Sequence, residues 1–157
     1  MPNIALDCSA AFFCSGVVAG LVVITPGAGF VNTTGAMIMG VLGGIVPFVA
    51  VIYLKRMIGY DDALDTFGVH GVGGMVGALG TGVVYAAYLG GPSEADFDMA
   101  HQLLVQLATV ATTIVWAAAG TAIAITVARA LTRLRVSPEV ELEGLDIGEH
   151  GERAYNY

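Results

Sequence analysis

A chain of 157 residues with 56% hydrophobic and 12% charged side chains cannot clothe a water-soluble globule, whose charged fraction is about 25%. Six basic and thirteen acidic residues give a net charge of −7 and pI ≈ 4.6, which opposes the counterion release that drives nucleic-acid binding. The apolar excess, with mean hydropathy +0.77, excludes disorder and leaves an all-α integral membrane protein. Crossing the ~30 Å hydrocarbon core takes about 20 apolar residues at helical rise. Four segments satisfy this, at about 8–24, 35–54, 66–89 and 99–130.

No basic residue precedes the first span, since Lys55 is the first in the chain. The charged n-region of a cleavable signal peptide is therefore missing, and the sequence reads as though another helix normally precedes this one. Cys8 and Cys14 lie six apart, on different faces of a helix, and predict neither a disulfide nor a metal site. Thr25-Pro26-Gly27-Ala28-Gly29 ends the span, because Pro lacks an amide donor and Gly disfavours helix. The second span contains Pro47, which predicts a kink. The polar link from Lys55 to Asp62 follows, with Asp61 and Asp62 expected in solvent.

The third span is unusual in carrying seven glycines between positions 68 and 82. In water such a run costs helix stability, whereas in lipid it permits close backbone packing, and Gly73 with Gly77 forms a GxxxG pair suited to helix packing. Asp65, just before it, is expected to cap the exposed amides. Within the span lies His70, with Gly73 and Gly74 at i+3 and i+4 leaving one side of its imidazole bare. Ionisable groups inside a membrane mark substrate or proton routes about as often as packing contacts. Metal or haem ligation is disfavoured because His101 and His150 lie near a helix end and in the tail, not at matching depth. No catalytic constellation and no cofactor are predicted, so the chain reads as no enzyme.

Gly90 to Asp96 forms a turn and an acidic helix start, and the fourth span is long enough, at ~50 Å, to tilt or extend beyond the bilayer. Trp116 lies well inside it, where packing is expected. From residue 134 the composition becomes polar, dividing the chain into a membrane part, 1–133, and a tail, 134–157. With four spans, Lys55, Arg56, Arg129, Arg133, Arg135 and Arg153 all fall on one side, which the positive-inside rule makes cytoplasmic. The opposite connection carries Glu94, Asp96 and Asp98.

Asp65-Thr66-Phe67-Gly68-Val69-His70-Gly71-Val72-Gly73-Gly74 closely resembles the D-x-F-G-V-H-G-x-G-G signature of the Amt/Mep/Rh ammonium transporters. Three more stretches resemble the family in the same order. These are Ala19 to Val31, similar to its eighth helix and exit loop, Lys55 to Asp62, similar to the link between its ninth and tenth helices, and Leu134 to Tyr155, similar to its regulatory tail.

The resemblance implies the C-terminal portion of an eleven-helix fold, helices eight to eleven, with a periplasmic start and a cytoplasmic end in the cell membrane. It implies a homotrimer with one pore per protomer, ammonium or ammonia as substrate, and the PII signal protein as a partner of the tail. His70 matches the second of two pore histidines that hydrogen-bond ammonia and relay its proton. Asp65 and Thr25 match residues near the pore with structural roles. A bare ammonium ion is costly in an apolar passage, so a neutral imidazole, with an ordinary pKa of ~6.5, is a sensible proton carrier. The first pore histidine, the phenylalanine gate and the aromatic recruitment site have no counterpart in this sequence. The chain alone is therefore expected not to transport. The alternative is a non-transporting membrane fragment acting as an interaction or regulatory module through its tail.

Overall fold

The computed structural model describes the backbone of residues 4–152 and the side chains of residues 13–152. Among these residues every regular element is helical, and the chain divides into two compact units, Met1–Thr112 and Thr113–Tyr157. The all-α expectation holds, and three helices are long and apolar enough to cross a membrane: Thr33–Ile58, Phe67–Val84 and Met99–Leu131. The first helix, α1 (Ile4–Ile24), has 21 residues, and its described apolar part runs into the following turn at Gly27. Cys8 lies outside the described side chains, and Cys14 is exposed.

α1 stops where Pro26 enters a 3₁₀ turn, Thr25–Gly27, closed by Ala28 N–H on the Thr25 carbonyl at 3.2 Å. Asn32 then caps α2 (Thr33–Ile58), its Oδ1 accepting the Gly35 amide at 2.8 Å. Pro47 is fully buried inside α2, and three residues later the backbone passes into a π-helical stretch, Ala50–Leu54, before returning to α-helix at Lys55–Ile58. A widened turn of this kind is how a helix absorbs a missing donor without ending. The helix therefore reaches one turn beyond residue 54, and Lys55 and Arg56 belong to it. Gly59, at φ 72°, ends it with its N–H on the Lys55 carbonyl at 2.8 Å.

α3 (Phe67–Val84) opens with a second π-helical stretch, Phe67–Val72, and continues as α-helix from Gly73. It stops five residues short of the expected end at 89. The cause is a tight return: the Gly91 amide bonds the Ala86 carbonyl at 3.0 Å, and Ser93 Oγ accepts the Ala87 amide at 2.7 Å. A Cβ at Gly91 would strike the Tyr85 carbonyl, so only glycine lets the chain double back so closely. Tyr88 and Leu89, apolar by composition, thus lie in a short 3₁₀ turn instead of the span.

Close backbone approach organises the first unit. A Cβ on Gly43 would come 2.8 Å from Gly20 Cα, where α1 and α2 meet. A Cβ on Gly77 of α3 would strike the Val23 carbonyl and come 3.1 Å from the Pro26 ring, and one on Gly73 would meet Val22 and Val23. The resulting core is Val23, Met39 and Val84, flanked by Ile24, Val31 and Val76. Gln102, Leu103 and Gln106, on the first turns of α4 (Met99–Leu131), lie against Gly82.

In the second unit no described residue is buried. Trp116 is 81% exposed, so the expected packing is not found among the described residues. The tail forms two short helices, α5 (Pro138–Glu143) and α6 (Leu145–Gly148), hinged at Gly144 with φ 103°. Arg135 pairs with Glu141 at 2.7 Å.

Candidate functional site

His70 lies within the π-helical opening of α3, where the backbone is wider than in an α-helix. The ring is exposed and faces an open groove of ≈ 630 Å³, lined also by Ile58, Tyr60, Asp61, Asp62, Thr66, Phe67 and Gly71. A Cβ at Gly74 would meet nothing within 4 Å, whereas Gly73 is packed, so the bare side of the helix lies toward Gly74. Phe67 sits edge-on to Tyr60 at 5.6 Å and covers Gly71, giving the groove an aromatic wall. The Tyr60 hydroxyl is buried without a hydrogen-bond partner among the described residues.

The start of α3 is held by Asp62, in place of Asp65. Asp62 Oδ1 accepts the Thr66 amide at 3.0 Å and Oδ2 accepts the Phe67 amide at 2.8 Å, satisfying two of the amides that a helix start leaves unpaired. Asp65 adopts φ 54°, a left-handed conformation that aspartate tolerates better than most residues, and this turns its carboxylate away from the helix amides. The carboxylate instead meets Lys55 Nζ at 2.6 Å, and the same ammonium donates to the Asp62 carbonyl at 2.5 Å. Lys55 and Asp65 are 30% and 37% exposed, so the pair is neither buried nor freely solvated. Below it the two π-helical stretches meet, with Gly68 over Val51.

The other expected residues lie apart from this groove. Thr25 is exposed and donates to the Leu21 carbonyl at 2.6 Å, which ties down the end of α1. Gly73 and Gly77 are buried on the side of α3 that meets α1. His101 is exposed in the first turn of α4, where its amide bonds Asp98 Oδ1 at 3.2 Å, and His150 is exposed in the tail. Sequence reasoning missed Lys55 and Asp62 as partners of the site. Lys55 is seven and ten residues from the groups it holds, on the far side of the helix end at Gly59, so no single helix carries the spacing, and the left-handed turn at Asp65 brings its carboxylate to the ammonium.

Residues 7–155 match the family model described as the Ammonium Transporter Family. The chain belongs to the ammonium transporter family. It is 47% identical over 142 residues to an ammonium transporter of Aquifex aeolicus, a match covering 90% of this chain and 33% of that protein. An ammonium transporter of Bacillus subtilis is 42% identical over 144 residues, with 90% and 35% covered. Ammonium transporter Amt1 of Archaeoglobus fulgidus is 38% identical over 142 residues, with 90% and 36% covered. The chain thus spans about a third of the length of the curated relatives it matches. As a member of a transporter family with several apolar helices, it is a multi-pass membrane protein.

Proposed function

We propose that this chain serves ammonium transport as one part of a transporter, with His70 on the permeation path. The observation that carries the reading is the placement of a single imidazole on an open, aromatic-walled groove within an otherwise apolar membrane helix. An ionisable ring is expensive in lipid unless it faces a path or a partner. A neutral imidazole can hydrogen-bond ammonia and accept or return the proton that ammonium must shed to cross an apolar passage. Thr25 and Asp65 act as structural supports near that path, and Gly73 and Gly77 as the helix contact that sets its wall.

Transport further requires membrane helices beyond those described, since the groove at His70 is open and the described part of α4 is without a buried residue. The completed assembly is a homotrimer with residues 1–133 in the membrane and 134–157 on the cytoplasmic side, where the basic residues of the tail and link gather. A PII signal protein is the proposed partner of the tail, and a fragment without flux would then act as an interaction module.

Methylammonium uptake into membrane vesicles tests the proposal. The 157-residue chain alone is expected to give background uptake, and coexpression with the N-terminal part of a close relative is expected to restore it. In the restored assembly, His70→Ala should lower uptake at least about tenfold, the scale of losing one positioned proton carrier. Unchanged uptake in that variant would remove His70 from the path. Full uptake by the chain alone would refute its dependence on further helices.

A further inference from the structure

We infer that Lys55 is a positioning residue for His70, acting through a clasp that joins the end of α2 to the first turn of α3. The inference rests on the reading of His70 as the permeation-path group and adds a residue to it. Lys55 Nζ has two acceptors on one link, the Asp62 carbonyl at 2.5 Å and the Asp65 carboxylate at 2.6 Å. Asp62 in turn holds the Thr66 and Phe67 amides with its two carboxylate oxygens. A single ammonium thereby fixes both the residue that caps α3 and the residue whose left-handed backbone starts it.

The geometry downstream explains why that matters for the imidazole. Phe67 is the first residue of the π-helical stretch and His70 belongs to the same turn, so a shift at the cap passes directly to His70. π-Helical turns are local, marginal features that depend on tertiary support. Here the support is Gly68 against Val51 beneath, the Tyr60–Phe67 ring contact beside, and the Lys55 clasp above. Of the three, only the clasp is polar and reaches across from another helix through a charge. The left-handed backbone of Asp65, at φ 54°, brings its carboxylate to the ammonium, which is the group that meets it.

The test uses the whole chain in lipid nanodiscs, with histidines labelled with ¹⁵N. Lys55→Met removes the charge at similar length and is expected to shift or broaden the His70 imidazole resonances while those of His101 and His150 stay in place. Thr66 and Phe67 amides should exchange at least about tenfold faster, with the amides of 73–84 still protected. Lys55→Arg is expected to restore the His70 signals at least in part. If Lys55→Met fails to fold, seen as lost protection over 73–84, Asp65→Asn takes its place, because it keeps the bond from Lys55 to the Asp62 carbonyl. A folded Lys55→Met or Asp65→Asn chain with unmoved His70 resonances overturns the inference. Uptake separates the two readings: loss of His70 without effect on flux defeats the permeation role, whereas unmoved resonances defeat the clasp whatever the flux.

Discussion

Two helices of similar apolar character meet opposite fates in this protein. α3 has 39% of its membrane-length window buried against the rest of the chain, and α4 has none of its own buried. Hydropathy does not separate them; the placement of glycine does. α3 offers glycine where α1 and α2 cross it, so backbones touch, as at Gly77 on the Val23 carbonyl. α4 carries a single glycine, Gly120, where α3 carries seven, and its Leu104, Val115 and Trp116 are all more than 60% exposed. A helix that is apolar all round suits lipid or neighbouring helices, whereas a glycine-faced helix is committed to one partner. The comparison places the fixed scaffold around His70 in α1–α3 and leaves α4 as a surface.

The strongest way to break this comparison is to fill the glycine contact. Gly77→Ala puts a methyl group into the Val23 carbonyl, which is backbone and cannot swing aside, and into the Pro26 ring. A loss of about 3 kcal/mol is expected, the upper end for overpacking. Gly74, one turn away with nothing within 4 Å, is the matched control. Gly74→Ala should be neutral or gain up to about 1 kcal/mol from helix propensity. Reversible SDS titration of the two variants in mixed micelles reads the difference, and equal stabilities would show that the glycine face does not hold the scaffold.

The two helix starts sharpen the comparison at smaller scale. Each is capped by an aspartate that accepts two amides, Asp62 for Thr66 and Phe67, and Asp98 for Ala100 and His101. Asp62→Ala should cost about 1–2 kcal/mol in the same titration, because the turn it caps is packed. Asp98→Ala should cost about 0.5 kcal/mol, with faster amide exchange limited to the first turn of α4, because that turn frays without disturbing a core. Equal costs would mean that packing adds nothing to the Asp62 cap.

Much of this architecture was legible in the sequence, and the parts that were not share a cause. Apolar length located the helices, and Pro26 and the glycines around it located the end of α1, because both act through local backbone chemistry. The end of α3 was misplaced since Tyr88 and Leu89 look like span residues, while the break depends on Gly91 and Ser93 reaching back to Ala86 and Ala87. The cap was assigned to Asp65, the aspartate nearest the helix. The choice of Asp62 depends on the left-handed backbone of Asp65 and on a lysine ten residues before Asp65, neither of which leaves a periodic trace. The π-helical stretches likewise have no composition signature. His70 itself stood out because an ionisable residue in an apolar run is rare enough to be noticed without knowing its neighbours.

The smallest expected effect lies in the second unit, where no described residue is buried and local charge must do what packing does elsewhere. Glu139, in the first turn of α5, has its carboxyl held below the usual range by its own backbone N–H first and by the Ser137 hydroxyl second. Its position at a helix N-terminus favours the charged form in the same direction. A carboxyl with a lowered folded pKa contributes stability above its unfolded value, ordinarily ~4.3, and that contribution disappears as pH falls through the folded value. The amides of residues 139–143 should therefore lose protection on acidification below about pH 4, while those of Gly73–Val84 stay unchanged. Glu139→Gln should flatten the response, since a neutral side chain of the same shape has no proton to gain. Hydrogen exchange followed by mass spectrometry from pH 6 to pH 3 reads both segments in one sample. An acid response in α3 as large as that in α5 would mean that the glycine-packed scaffold is not independent of surface charge, and the contrast between the two regions would fail.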